Sequence, residues 1–109
     1  MTNLELESLG FAPAGLVPEH TVTGGFCCDL LSWAMSRCTE GKVWFTVMGN
    51  INAVAVASLT DAAAIVLCQE AVWMPDALER AAQNGVALFT TPLPAYEAAL
   101  VLAKKLGQL

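Results

Sequence analysis

From Thr21 onward, short apolar runs alternate with segments whose apolar residues recur at helical spacing. Thr21–Cys27 predicts a first strand and Val43–Met48 a second. The continuous apolar run Ala62–Cys68 predicts a third strand, of the kind covered on both faces, and Val86–Thr90 a fourth. Between the first two lies a helix reaching about Arg37. Leu30, Leu31, Ala34 and Met35 form its apolar face, and Asp29 is its expected cap. Glu40-Gly41-Lys42 then turns the chain into the second strand. The next helix spans approximately Ala53–Leu59, capped by Asn50 or Asn52, although Val54, Ala55 and Ser58 also fit a strand. Pro75 sits at the first turn of a further helix that Gly85 stops, with Asp76 near its positive end. Pro94 opens the last helix, whose Lys104 and Lys105 precede Gly107.

Upstream, Thr2-Asn3-Leu4-Glu5 fits a capping box for a short helix ending near Gly10. Phe11–His20, with Pro13, Gly15 and Pro18, reads as irregular chain or a short edge strand. The whole pattern predicts an α/β fold. Residues 1–109 form a single small domain, with a mainly parallel sheet of about four strands flanked by helices. The segment 1–20 stands outside the strand–helix alternation.

In such sheets ligands gather beyond the carboxyl ends of the strands. That crest would carry Cys28 and Asp29, then Gly49, Asn50 and Asn52, then Gln69 and Glu70, then Thr90 and Thr91. These residues are small and able to hydrogen-bond, but few are acids, bases or nucleophiles. Gly24-Gly25 permits unusual backbone angles or the close approach of another chain. Gly49-Asn50 ends a strand with amides able to receive an anion. The expected ligand-binding or loop-shaping set is therefore Gly24, Gly25, Asp29, Gly49, Asn50, Asn52, Thr90 and Thr91.

Composition narrows the partners. The hydrophobic fraction of 56% exceeds the ~45–50% of typical domains, and the charged fraction of 14% lies below ~25%. Much of the excess is alanine. Thr60 and Asp61 interrupt the longest apolar run, so no membrane span is expected. The N-terminus is polar and acidic, unlike a secretory signal, so a cytoplasmic protein is expected. With so little charge to cover a monomer, an apolar face that pairs with another copy or subunit is expected, and a homodimer or other homo-oligomer with it. The net charge is −5, and the five bases Arg37, Lys42, Arg80, Lys104 and Lys105 make no phosphate-neutralising cluster. No nucleic-acid partner is expected.

No phosphate-binding loop is present, because Val43 follows Gly41-Lys42 and no glycine stands five residues before Gly41. The dinucleotide fingerprint is absent too, and His20 is the only histidine, so no Ser/His/Asp set forms. Cys27, Cys28, Cys38 and Cys68 lack the paired Cys-x-x-Cys spacing of metal sites and read as packing residues. Cys28 lies just before a helix, where amides favour a thiolate, although the Asp29 carboxylate opposes that effect. Trp33 and Trp44 suit the core or a subunit interface, and Trp73-Met74 an exposed contact patch.

The succession of Thr23-Gly24-Gly25, Asp29-Leu30-Leu31-Ser32, Gly41–Val47, Ala53–Ala57, Ala64–Leu67, the helix after Pro75, and Gly85–Leu88 with Thr90-Thr91 resembles the DRTGG domain family. That family is related to the N-terminal domain of HPr kinase/phosphorylase and, more remotely, of Mur ligases. Thr21-Val22 stand here before the Thr-Gly-Gly run, where the family name has Asp and Arg. The resemblance implies a non-catalytic regulatory or oligomerisation module without a cofactor. Such a module would be dimeric, and would sense a small polar or nucleotide-like ligand or dock a partner enzyme. The alternative is a cysteine-based redox or metal- or iron–sulfur-binding accessory protein using Cys27, Cys28 and Cys38.

Overall fold

The computed structural model describes residues 1–109 and places five strands in one sheet. They are β1 (Ala12–Pro13), β2 (Gly24–Cys27), β3 (Lys42–Thr46), β4 (Ala64–Leu67) and β5 (Leu88–Thr90). Helices α1 (Leu31–Arg37), α2 (Ile51–Thr60) and α3 (Pro75–Asn84) connect β2 through β5. Helix α4 (Ala95–Leu106) follows β5, and a 3₁₀ helix at Asn3–Leu9 precedes β1. The spatial order is β1-β5-β4-β3-β2, parallel throughout except where β1 runs antiparallel to β5.

Strand alternation divides the core in two. Trp44, Ile65, Leu67 and Leu88 face one side, packed against Ala34, Val54, Ala57, Ala77 and Ala81. Val43, Phe45, Val66, Cys68 and Phe89 face the other, against Leu6, Phe11, Ala98 and Leu102. Because β2 to β5 are laid down in spatial order, crossovers of one hand stack α1, α2 and α3 on a single face. Helix α4 covers the opposite face under β2 and β3.

The strands are shorter than the apolar pattern predicts, and hydrogen bonds explain where each stops. Thr21 bridges Thr2 and the Val22 N–H donates to Met1 O, so β2 begins only at Gly24. The Val47 N–H goes to the Asp29 carboxylate and the Met48 N–H to Thr46 Oγ1, which ends β3 at Thr46. The Ala62 N–H returns to Ala57 O and the Val86 N–H to Ala81 O, delaying β4 and β5 behind helix ends. A fifth strand joins the expected four, because Ala12–Pro13 takes the edge position beside β5. The Thr2 capping box forms, Asn50 rather than Asn52 caps α2 at 2.9 Å, and 51–60 is helix.

Two expectations need correction. Asp29 does not cap α1; the N-cap is Leu30, without a side-chain bond. The Asp29 carboxylate instead accepts from Thr46 Oγ1 at 2.7 Å and the Val47 N–H at 3.0 Å, tying β2 to β3. Trp73 is not part of an exposed patch. It is 5% exposed, and its indole N–H donates to Phe89 O at 3.1 Å; only Met74 remains outside. Trp44 is fully buried, whereas Trp33 is outside the core, 53% exposed, with the Arg37 guanidinium 4.3 Å from its ring centre.

Candidate functional site: the crest of the sheet

All four parallel strands end at the same crest, and the N-termini of α1 to α4 open there. The strand order never reverses among β2 to β5, so no switch-point crevice opens in the middle of the crest. The cleft lies instead at the β5 end, where antiparallel β1 closes the sheet. It holds about 440 Å³, within the ~300–1,000 Å³ of small-molecule sites. Gly10 and Ala12 form one wall, Glu70 to Trp73 another, and Thr90, Thr91 and Pro92 the floor.

The loop from Gln69 to Met74 shapes this cleft. Gln69 and Glu70 both hold left-handed backbone, φ 60° and 63°, a conformation that costs side-chain-bearing residues about 1 kcal/mol each or more. Tertiary bonds hold them there: the Gln69 N–H donates to Leu93 O at 3.0 Å and the Glu70 N–H to Thr91 O at 3.3 Å. At its far end the loop is clamped to Gly49, whose carbonyl accepts from the Met74 N–H at 2.8 Å. A Cβ on Gly49 would stand 2.5 Å from Val72 O, so only glycine admits the loop so closely.

The expected site residues separate into groups. Thr90 and Thr91 line the cleft; Thr91 is buried and its hydroxyl accepts from the Leu93 N–H at 3.2 Å. Gly49 supports the cleft loop from behind. Asn50 spends its side-chain oxygen on the α2 cap, and Asn52 is exposed on the first turn of α2. Asp29 lies at the β2–β3 end of the crest, its carboxylate already bonded. Gly24 and Gly25 are not at the crest, since Gly24 pairs with Lys42 at the start of β3. Neither has positive φ; a Cβ on Gly25 would meet Phe45 at 3.3 Å and Leu102 at 3.4 Å. The approach they permit is that of β3 and α4 in the same chain.

Sequence reasoning missed Gly10, Ala12 and Ala71–Trp73 as cleft residues. The wall from Gly10 and Ala12 exists only because β1 pairs with β5, a long-range contact with no local signature. The polar pair Gln69-Glu70 after a buried strand was the one local signal. Glu70 is the cleft's only ionisable group, and none of the five bases lines it.

No family model matches the chain, and no curated protein sequence matches it. Among solved structures it is similar to the CBS and DRTGG domains of the regulatory region of Clostridium perfringens pyrophosphatase, complexed with activator, diadenosine tetraphosphate. The TM-score is 0.67 and the identity 11%, over 89% of this chain and 43% of that one. The fold is DRTGG-like. The chain spans less than half the length of that pyrophosphatase chain.

In this DRTGG-like fold the cysteines stay apart from the cleft. Cys38 and Cys68 are buried, and Cys27 is exposed on β2. The Cys28 sulfur accepts from the Leu30 N–H at 3.4 Å. Partial desolvation of the sulfur, and secondarily the Asp29 charge, pushes the Cys27 thiol up from its ordinary range even though the residue is exposed. Burial likewise raises Cys38, and it raises Cys68 to about 11. These three thiols are therefore protonated at neutral pH and poor nucleophiles. No three His, Cys, Asp or Glu side chains gather closely enough to hold a metal ion. His20 is exposed, with Nδ1 2.9 Å from Thr21 O. No helix is long and apolar enough to cross a membrane.

Proposed function

We propose that this chain is a non-catalytic, cytoplasmic regulatory module that takes a small polar ligand in the crest cleft and self-associates. The observation that carries this reading is the cleft loop: two consecutive left-handed residues, Gln69 and Glu70, held by tertiary bonds around a shaped cavity. The crest side chains of Asp29, Asn50 and Thr91 are already bonded, to the end of β3, the first turn of α2 and the Leu93 N–H, which favours a binding site over a catalytic one. Ligand contacts with the loop would bias its arrangement against Gly49 and Leu93, and so the state of the assembly or a docked partner enzyme.

Charge selects among ligands. A polyphosphate needs cationic or multiple amide partners, whereas this cleft offers one carboxylate, the Thr90 hydroxyl and apolar walls from Ala12, Ala71 and Val72. A neutral, nucleoside-sized molecule suits it better than the charged part of a nucleotide. Self-association draws support from the exposed Leu30, Trp33, Val72 and Tyr96 on a chain with little charge. A redox or metal role for Cys27, Cys28 and Cys38 has less support, because the Cys27 and Cys38 thiols are held protonated.

An amide NMR titration with adenosine, and separately with diadenosine tetraphosphate, tests the ligand reading. Adenosine is expected to shift the amides of Glu70 to Trp73 and Thr90, with Thr90→Val weakening that response. The polyphosphate is expected to bind no more tightly. Titrations that leave those amides unmoved by either compound, or tighter binding of the polyphosphate, would contradict it.

A further inference from the structure

The sheet has two edges, and only one is protected. At one edge β1 is two residues long and contains Pro13, which has no N–H to offer a foreign strand. At the other edge β2 has a neighbour on one side only. The Cys28 N–H donates to Phe45 O, so strand alternation directs Phe26 and Cys28 toward β3. Gly25 and Cys27 therefore turn their backbone N–H and C=O groups outward, and both residues are exposed. Thr21–Cys28 contains no charged residue and no proline, and cover is confined to the start of the strand, where Gln108 Nε2 donates to Thr23 O at 3.4 Å and Lys42 Nζ stands beside Gly24.

We infer that β2 is the self-association strand, pairing antiparallel with β2 of a second copy so that two five-stranded sheets become one. This rests on the self-associating part of the reading above and is independent of the crest ligand. A two-fold axis beside Phe26 sets Gly25 opposite Cys27 of the other copy, twice, and each of these pairs exchanges two backbone hydrogen bonds. Phe26 then lies opposite its own counterpart in a non-hydrogen-bonded pair, where side chains pack most closely.

Three observations favour a second copy as the occupant. Residues Thr21–Cys28 carry no charge of their own and bring no like charges together, although each chain carries −5. Beside the strand runs a shallow groove whose α4 wall is Ala99, Leu102 and Ala103, with Gln108 at its end, and it leaves α4 open next to the edge so that α4 of each copy can approach the other. A standard interface takes about 800 Å² from each partner, about one-seventh of this chain's 5621 Å². The strand alone cannot supply that; the rest must come from exposed side chains of α4, which packs on β2, and of α1, which follows β2 in the chain, among them Tyr96 and Trp33.

Sedimentation velocity across a concentration series tests the inference, with circular dichroism to confirm that each variant is folded. The wild type is expected to dimerise. Cys27→Pro removes one outward N–H per copy and no internal bond, and the loss of two edge hydrogen bonds per dimer weakens association about thirty-fold. Cys27→Lys keeps every backbone donor and places a guarding charge on the edge; it is expected to weaken association at least comparably. It also serves if the proline variant does not fold. A dimer insensitive to either folded variant overturns the β2 assignment while leaving self-association standing. A wild type that stays monomeric overturns both, and would leave the free edge to an extended segment of another protein.

Discussion

The two edges of this sheet, a two-residue strand on one side and a four-residue strand on the other, are finished in opposite ways. On the β1 side, Phe11 is buried against the edge of the Phe45 ring, 6.0 Å between centroids, and anchors the 3₁₀ helix and β1 together. The cleft opens there because a short, proline-bearing strand closes the ladder and leaves its flank to loops. On the β2 side the strand is held from within, by Trp44 Nε1 to Cys28 O at 2.9 Å and by the Asp29 carboxylate, while its outer face is unpaired. The lesson is that edge protection need not be uniform. A fold can close one edge to build a site and leave the other open to build an assembly.

The largest effect is expected from breaking the closed edge. Phe11→Ala removes a side chain that is 1% exposed and should cost about 3–5 kcal/mol in chemical denaturation. The perturbation should be larger at the amides of Thr90 and Thr91 than at those of Gly25 and Cys27, which it reaches only through the Phe45 ring. Equal disturbance of both edges would mean that they are not independent.

The interior common to both edges responds to alkali. Cys68 is raised to about 11 by burial first and by neighbouring charge second, so its folded-state pKa lies above the unfolded value near 9. Between those values the unfolded chain loses the proton first and binds fewer protons than the folded one. Stability is thus full below about pH 9 and falls by about 2 kcal/mol toward pH 11. Cys68→Ala should flatten much of that slope when unfolding is followed across the same range; an unchanged slope would place the titration elsewhere.

A smaller effect is expected from loosening the internal hold on the open edge. Asp29→Ala strands the buried Thr46 hydroxyl and should cost about 1 kcal/mol, with Asp29→Asn recovering part of it because the amide oxygen still accepts. Were Asp29 a helix cap instead, the loss would appear in the α1 amides rather than at Thr46 and Val47. The smallest effect belongs to the open edge itself. Cys27→Ser alters an exposed side chain and should move stability by less than about 0.5 kcal/mol.

The parallel core was legible in the sequence because its signals are local. The uninterrupted apolar stretch through Ile65 and Val66 marks a strand covered on both sides, and Pro75 and Gly85 bracket α3 as their backbone preferences require. Asp29 misled because a carboxylate before a helix reads as a cap, and only the neighbouring strand end reveals Thr46 as its partner, 17 residues away. Trp73 misled likewise: a loop position suggested exposure, but the indole finds Phe89 O on β5. The cleft was half legible. Thr90, Thr91 and Glu70 fall on the crest by strand order alone. The wall from Gly10 and Ala12 depends on an antiparallel pairing across some eighty residues of chain, which no local pattern encodes.

The contrast between the edges is tested most directly by amide hydrogen exchange at Gly25 and Cys27 as protein concentration is raised. If β2 pairs with its own copy, both amides should pass from rapid exchange when dilute to strong protection when concentrated, while the Ala12 amide on β1 keeps one rate throughout. Rapid exchange at Gly25 and Cys27 at every concentration would contradict the account.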